Sequence, residues 1–129
     1  MNEPGSKEAR TNVKDAIEKG QTLHTVDIAL AESLNVIWKH ANLIKDLKHE
    51  EARRTIEDLI RIYDGLSVIT TRDITQETAQ IALSQNITIY DALFIAAAQK
   101  LNGTLYTADQ KLCAIANKTT NSKLLKPKL

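Results

Sequence analysis

A single cysteine, Cys113, excludes an internal disulfide and any metal site built on paired thiolates. One thiol without a bridge fits a reducing compartment, so the expected location is the cytoplasm. Aromatic residues make up only 4% of the chain, so the core must be built from Ile, Leu, Val and Ala. With four glycines and two prolines, most of the chain is free to be regular structure. Charge of one sign is also missing: 17 Lys and Arg stand against 16 acids, for a net charge of +1. No global field draws the protein to nucleic acid or to a membrane, and any such binding must be local. No apolar run approaches the roughly 18 residues of a membrane span. The polar start MNEPGSKEAR has no apolar stretch of the kind found in a signal peptide. His24, His40 and His49 show no ligand spacing, and no internal repeat or low-complexity segment is present. The 129 residues fit a single domain, 1–129, with one core.

What is there reads as strands alternating with helices. A first helix from about Ser6 should stop at Gly20, a plausible residue for the left-handed turn after a helix. Residues 21–26, QTLHTV, suggest a short strand. From about Ile28 to Lys45, Leu30, Leu34, Ile37, Ala41 and Ile44 share a helical face. A second helix runs from about Glu50 to Tyr63, with Ile56, Leu59, Ile60 and Tyr63 inward, before the Asp64-Gly65 turn. LSVIT at 66–70 is a strand candidate, and Asp73 or Thr75 is positioned to cap a helix to about Ser84. A helix from Tyr90 to Leu101 should end at Asn102-Gly103, followed by a strand TLYT at 104–107 and a helix opened by Asp109. The tail KLLKPKL is an edge strand or frayed. This alternation argues for a layered α/β domain with a parallel sheet. In such sheets ligands bind beyond the carboxyl ends of the strands.

Three acids stand among small apolar residues. Asp91 opens the helix that continues Ala92, Leu93, Phe94, Ile95, Ala96, Ala97, Ala98, a sequence apolar all round and therefore buried. An ionised carboxylate there needs a partner or a raised pKa. The bland alternative is an acid favoured by the helix N-terminus, about 0.5–2 kcal/mol. Asp109, in TLYTADQKL, is a natural N-cap, and Thr107 could cap or orient it. Glu32, in IALAESLNVIW, lies at the border of an apolar arc and by itself reads as a solvated rim residue. Glu50, Glu51, Glu57 and Asp58 lie among Arg53, Arg54 and Arg61, an exposed face laced with ion pairs. After Asp109 come Lys111, Lys118, Lys123, Lys126 and Lys128 and no acid. That run could help hold a phosphate backbone or could be a solvated basic tail.

Taken together, ALAESLNVIW, with Glu32 followed three residues on by Asn35, and IYDALFIAAAQKLNGTLYTADQKL, with Asp91 in a YDA helix start and Asp109 in T-x-D, resemble the PIN-domain nucleases. Among these the chain looks like the toxin of VapBC-type toxin–antitoxin pairs. NEPGSKEAR is similar to the family's segment after its first helix, so the resemblance covers essentially the whole chain. It implies a three-layer α/β/α fold with a mostly parallel sheet. It implies a ribonuclease using Mg²⁺ or Mn²⁺, with Glu32, Asp91 and Asp109 converging on one cation and Thr107 and Asn35 in support. RNA would be the substrate and a small antitoxin the partner, with a homodimer and no membrane association. Hard divalent cations suit oxygen ligands of this kind.

The chain departs from the family at its start, Met1-Asn2-Glu3-Pro4, which lies past the family's first strand and the Asp it bears. Glu3, Glu8 and Asp15 have no context that substitutes for that acid. The expectation is therefore four strands, with the middle member of the sheet absent and a hole in the core and the metal site. This opens a second expectation, a catalytically impaired PIN-like domain that binds an antitoxin or a second copy of itself. A third is an unrelated α/β domain whose Asp91 and Asp109 merely cap helices.

Overall fold

The computed structural model describes residues 14–15 and 18–125. Most of the expected first helix lies outside them; Lys14, Asp15 and Glu18 are helical, and Gly20 has φ +71°. A positive φ costs glycine nothing, which is why the chain can turn there. The elements that follow are β1 (His24–Val26), α1 (Ile28–Lys39), α2 (His49–Asp64), β2 (Ser67–Ile69), α3 (Thr75–Gln85), α4 (Ile89–Leu101), β3 (Thr104–Thr107), α5 (Gln110–Ala116) and β4 (Asn121–Leu124).

Helix α1 runs on into a π-helical turn, His40–Ile44, and ends at Lys45 with φ 63°. The expected single α-helix to Lys45 therefore changes pitch after Lys39. The wider turn shifts the phase of the side chains, and Ile44, expected on the inner face, is 53% exposed. The carboxylate of Asp46 closes this turn on His40 Nδ1 at 2.8 Å. Ile37, Leu47 and Ala52, with Ala41, Ile56 and Leu59 packed on them, join α1 to α2. Ile60, also expected inward, points outward. Neither Asp73 nor Thr75 caps α3. Instead, the side chain of Thr70 accepts from the Asp73 N–H and opens a 3₁₀ turn, Thr71–Ile74, that leads into the helix. Asn86 and Asn102 take the left-handed conformation at the ends of α3 and α4, a role Asn fills better than most residues.

The four strands form two parallel pairs, β1 with β2 and β3 with β4, in place of one continuous sheet. Each pair is joined by a helical crossover, as parallel strands require. Among the described residues no strand links β1 to β3. Helix α4 spans the division and packs on both inner strands. Leu93, Ala96 and Ala97 form a buried cluster with Val26 and Ile74. Ile95 and Ala98 form another with Leu105, Leu112 and Ala116. Ile81 of α3 and Phe94 touch both clusters, so the two halves share one apolar interior. The order of elements is that of a layered α/β domain with parallel strands, as the sequence leads one to expect.

Leu93 is 1% exposed and belongs to the cluster that ties α4 to β1. Its truncation, Leu93→Ala, should cost about 3 kcal/mol through lost transfer energy and a residual cavity. Urea denaturation of the two proteins measures this; a difference well under 1 kcal/mol would mean that α4 does not hold the two halves together.

Candidate active site

Three aspartates stand at helix starts, and each is used differently by its own helix. Asp27, which the sequence reading passed over, follows β1 and caps α1. One carboxylate oxygen accepts from the Ile28 N–H at 2.9 Å and from the Thr71 hydroxyl at 2.7 Å. The other accepts from the Thr71 N–H at 2.9 Å. These bonds, led by the Thr71 N–H, hold the Asp27 carboxyl below its ordinary range. Asp27 therefore pins β1 to the turn after β2 and has little left for a ligand. Its sequence signal was the Asp placed between a strand and an apolar helical run.

Asp109 caps α5: its Oδ1 accepts from the Leu112 N–H at 3.0 Å. Its own N–H donates to the Thr107 hydroxyl at 3.0 Å. The Thr107 hydroxyl thus holds the backbone at Asp109, and the helix cap itself is Asp109. The second oxygen of Asp109 has no hydrogen-bond donor among the described residues.

Asp91 is the third residue of α4, and the cap of that helix is Thr88, whose hydroxyl accepts from the Asp91 N–H at 3.2 Å. A reciprocal bond from the Thr88 N–H to the Asp91 carboxylate would complete a capping box. Among the described residues that bond is not made, and no other donor reaches the carboxylate. Asp91 is half-buried, and its own helix does not use its side chain.

Glu32 lies on α1. Although the residue is largely open, partial desolvation of its carboxyl, and then the charge of Asp91, raise its pKa above the ordinary value of 4.5. The α1 acid and the α4 acid, far apart in sequence, are thus brought within electrostatic reach. Asn35 is exposed one turn further on and makes no hydrogen bond to Glu32 among the described residues.

Asp91 and Asp109 line one small open cleft of about 150 Å³, between the α3–α4 connection and the start of α5. Asn86, Ile87, Thr88, Lys111, Leu112 and Ile115 complete its walls. A larger cavity of about 280 Å³ between α3, α4 and α5 holds none of the three acids and is lined chiefly by Gln, Ser and Ile side chains. Asp91 is therefore the middle of a series, coupled to Glu32 by charge and to Asp109 by a shared cleft. Among the described residues no three His, Cys, Asp or Glu side chains close to a ready-made metal cluster.

The cleft lies just past the end of β3, in a layered fold of helices and parallel strands. The family model described as the PIN domain matches residues 4–118. Over 97 residues the chain is 35% identical to "Ribonuclease VapC3" of Pyrobaculum aerophilum, covering 75% of this chain and 73% of that protein. The chain belongs to the PIN-domain family, and within it is similar to the VapC nucleases.

The coupling between Glu32 and Asp91 is measurable without any ligand. Carboxyl-carbon NMR titration of the metal-free protein should place Glu32 above an ordinary glutamate. In Asp91→Asn its pKa should fall part of the way back, because desolvation remains. A group whose pKa is raised by folding binds more protons in the native state, so its contribution to stability declines as pH rises through its titration. Glu32→Gln should remove that decline. An unshifted Glu32 titration in Asp91→Asn would show that the two acids do not face one another.

Proposed function

We propose that this protein is a metal-dependent endoribonuclease that hydrolyses RNA phosphodiester bonds and serves as the toxin of a toxin–antitoxin pair. The observation that carries the reading is the uncommitted carboxylate of Asp91, which shares a cleft with Asp109 and, second to desolvation, adds to the raised pKa of Glu32. The name of the VapC relative, a ribonuclease, supports the same reaction class.

The donors fit Mg²⁺ or Mn²⁺: all are carboxylate oxygens, and like charges held near one another are relieved by a hard cation. Glu32, Asp91 and Asp109 would hold the ion, and when bound it would supply charge stabilisation and water activation at the phosphodiester. Thr107, whose hydroxyl accepts the Asp109 N–H, would support the backbone that presents Asp109. Asn35, one turn from Glu32, would support the α1 side of the site. No single acid is assigned as general base.

A small antitoxin and a second copy of the chain are the proposed protein partners. Trp38, Leu43 and Ile44 are about half exposed on the α1 hairpin, and Ile62 is 63% exposed. Exposed large apolar side chains of this kind are what a protein contact would cover. No helix among the described residues is long and apolar enough to cross a membrane. The cytoplasm is the proposed location.

A second reading has its own observation. The acids do not close into a ready-made cluster, and the strands form two separate pairs. Both fit a catalytically impaired PIN-like domain that acts by binding an antitoxin or itself.

The deciding measurement is cleavage of a mixed RNA by the purified chain with Mg²⁺, Mn²⁺ or excess chelator, beside Asp91→Asn. Metal-dependent cleavage that falls to background in the variant is the expected result. A folded chain that cleaves nothing would favour the binding-module reading. Independently of activity, Mn²⁺ should broaden the amide signals around Asp91 and Asp109 first, and this broadening should weaken in Asp91→Asn.

A further inference from the structure

The cleft that holds Asp91 and Asp109 also contains a cation, and we propose that Lys111 is a positioning residue that seats an RNA phosphate beside the two acids. The inference rests on the ribonuclease reading and adds to it the group that holds the substrate backbone.

A phosphodiester entering a cleft lined by two carboxylates meets like charge on both sides. A site that accepts it needs an opposing charge on its wall, held where the acids are. Lys111 stands two residues after Asp109, on the first turn of α5, and lines the cleft with both acids. Despite that neighbourhood it forms no ion pair or hydrogen bond with any described residue, so its ammonium group is not consumed in neutralising Asp91 or Asp109. The other described lysines after Asp109 are engaged elsewhere. Lys118 donates to the Gln85 side chain at 3.5 Å, and Lys123 lies 5.9 Å from the centre of the Tyr106 ring. Among the described lysines after Asp109, Lys111 is therefore the one at the site. A lysine on a flexible stem acts on phosphate as a point charge, which gives affinity without base preference.

The test separates binding from cleavage. In excess chelator, anisotropy of a short, labelled, mixed-sequence single-stranded RNA reads affinity across a series of salt concentrations. Lys111→Gln should weaken binding about three- to tenfold at low salt and flatten the slope of log affinity against log salt by about 0.7, the loss of one phosphate contact. Lys111→Arg should retain most of both. Lys100→Gln, in the last turn of α4, serves as the remote control and should change neither. With metal present, Lys111→Gln should raise KM while kcat stays within about twofold. Unchanged affinity and salt slope in Lys111→Gln, or a wild-type chain that does not bind the RNA, would overturn the proposal. Lys111-dependent binding without metal-dependent cleavage would keep this role for Lys111 and remove the ribonuclease reading.

Discussion

The packing of α4 across two separate strand pairs is the contact on which the rest of this structure depends. A two-stranded sheet is marginal by itself in water, and here there are two of them. Each gains its apolar floor from a different side of the same helix, Val26 against Leu93, Ala96 and Ala97, and Leu105 against Ile95 and Ala98. The alanines matter as much as the larger residues. Short side chains at 92, 96, 97 and 98 let strands and neighbouring helices approach the α4 backbone closely, and all four are buried. Because Asp91 rides on the first turn of this helix, the packing that joins the halves also sets the position of the central acid.

The three aspartates at helix starts differ in how far local structure consumes them. Asp27 has both oxygens bonded and ties two segments together. Asp109 has one oxygen bonded to its helix. Asp91 has none engaged among the described residues, because Thr88 has taken over the cap. The sequence offers the same bland explanation, a helix start, for Asp91 and Asp109. Hydrogen-bond geometry separates the structural aspartate from the two that remain able to bind something else.

The electrostatics of the cleft follow from this division. Asp91 shares the cleft with Asp109, which gives one oxygen to the Leu112 N–H, and partial desolvation, then the charge of Asp91, hold the Glu32 pKa above its ordinary value. Crowding that is unfavourable in the free protein is what a cation or a positively assisted substrate relieves. Lys111 lines the same cleft and is unpaired among the described residues.

Much of the fold was legible in the chain before any coordinates. Scarce Gly and Pro, apolar runs at helical spacing and short β-branched segments placed the helices and strands between residues 24 and 116 within a few residues, because these elements follow from local sterics and burial. Errors fell where local signals competed. The π turn at His40–Ile44 exposed Ile44 against its helical phase, and Thr70 displaced Asp73 and Thr75 as a cap because it preceded an unforeseen 3₁₀ turn. At the site, the sequence by itself determined the acid types and their places at element ends, together with the family resemblance carried by the YDA and T-x-D segments. Tertiary structure alone decided that Asp91 meets Glu32 by charge and Asp109 across a cleft, that Asp27 is spent on Thr71, and that the strands stand as two pairs. Those relations join residues remote along the chain, and their distances are set by how α4 packs, which no local pattern encodes.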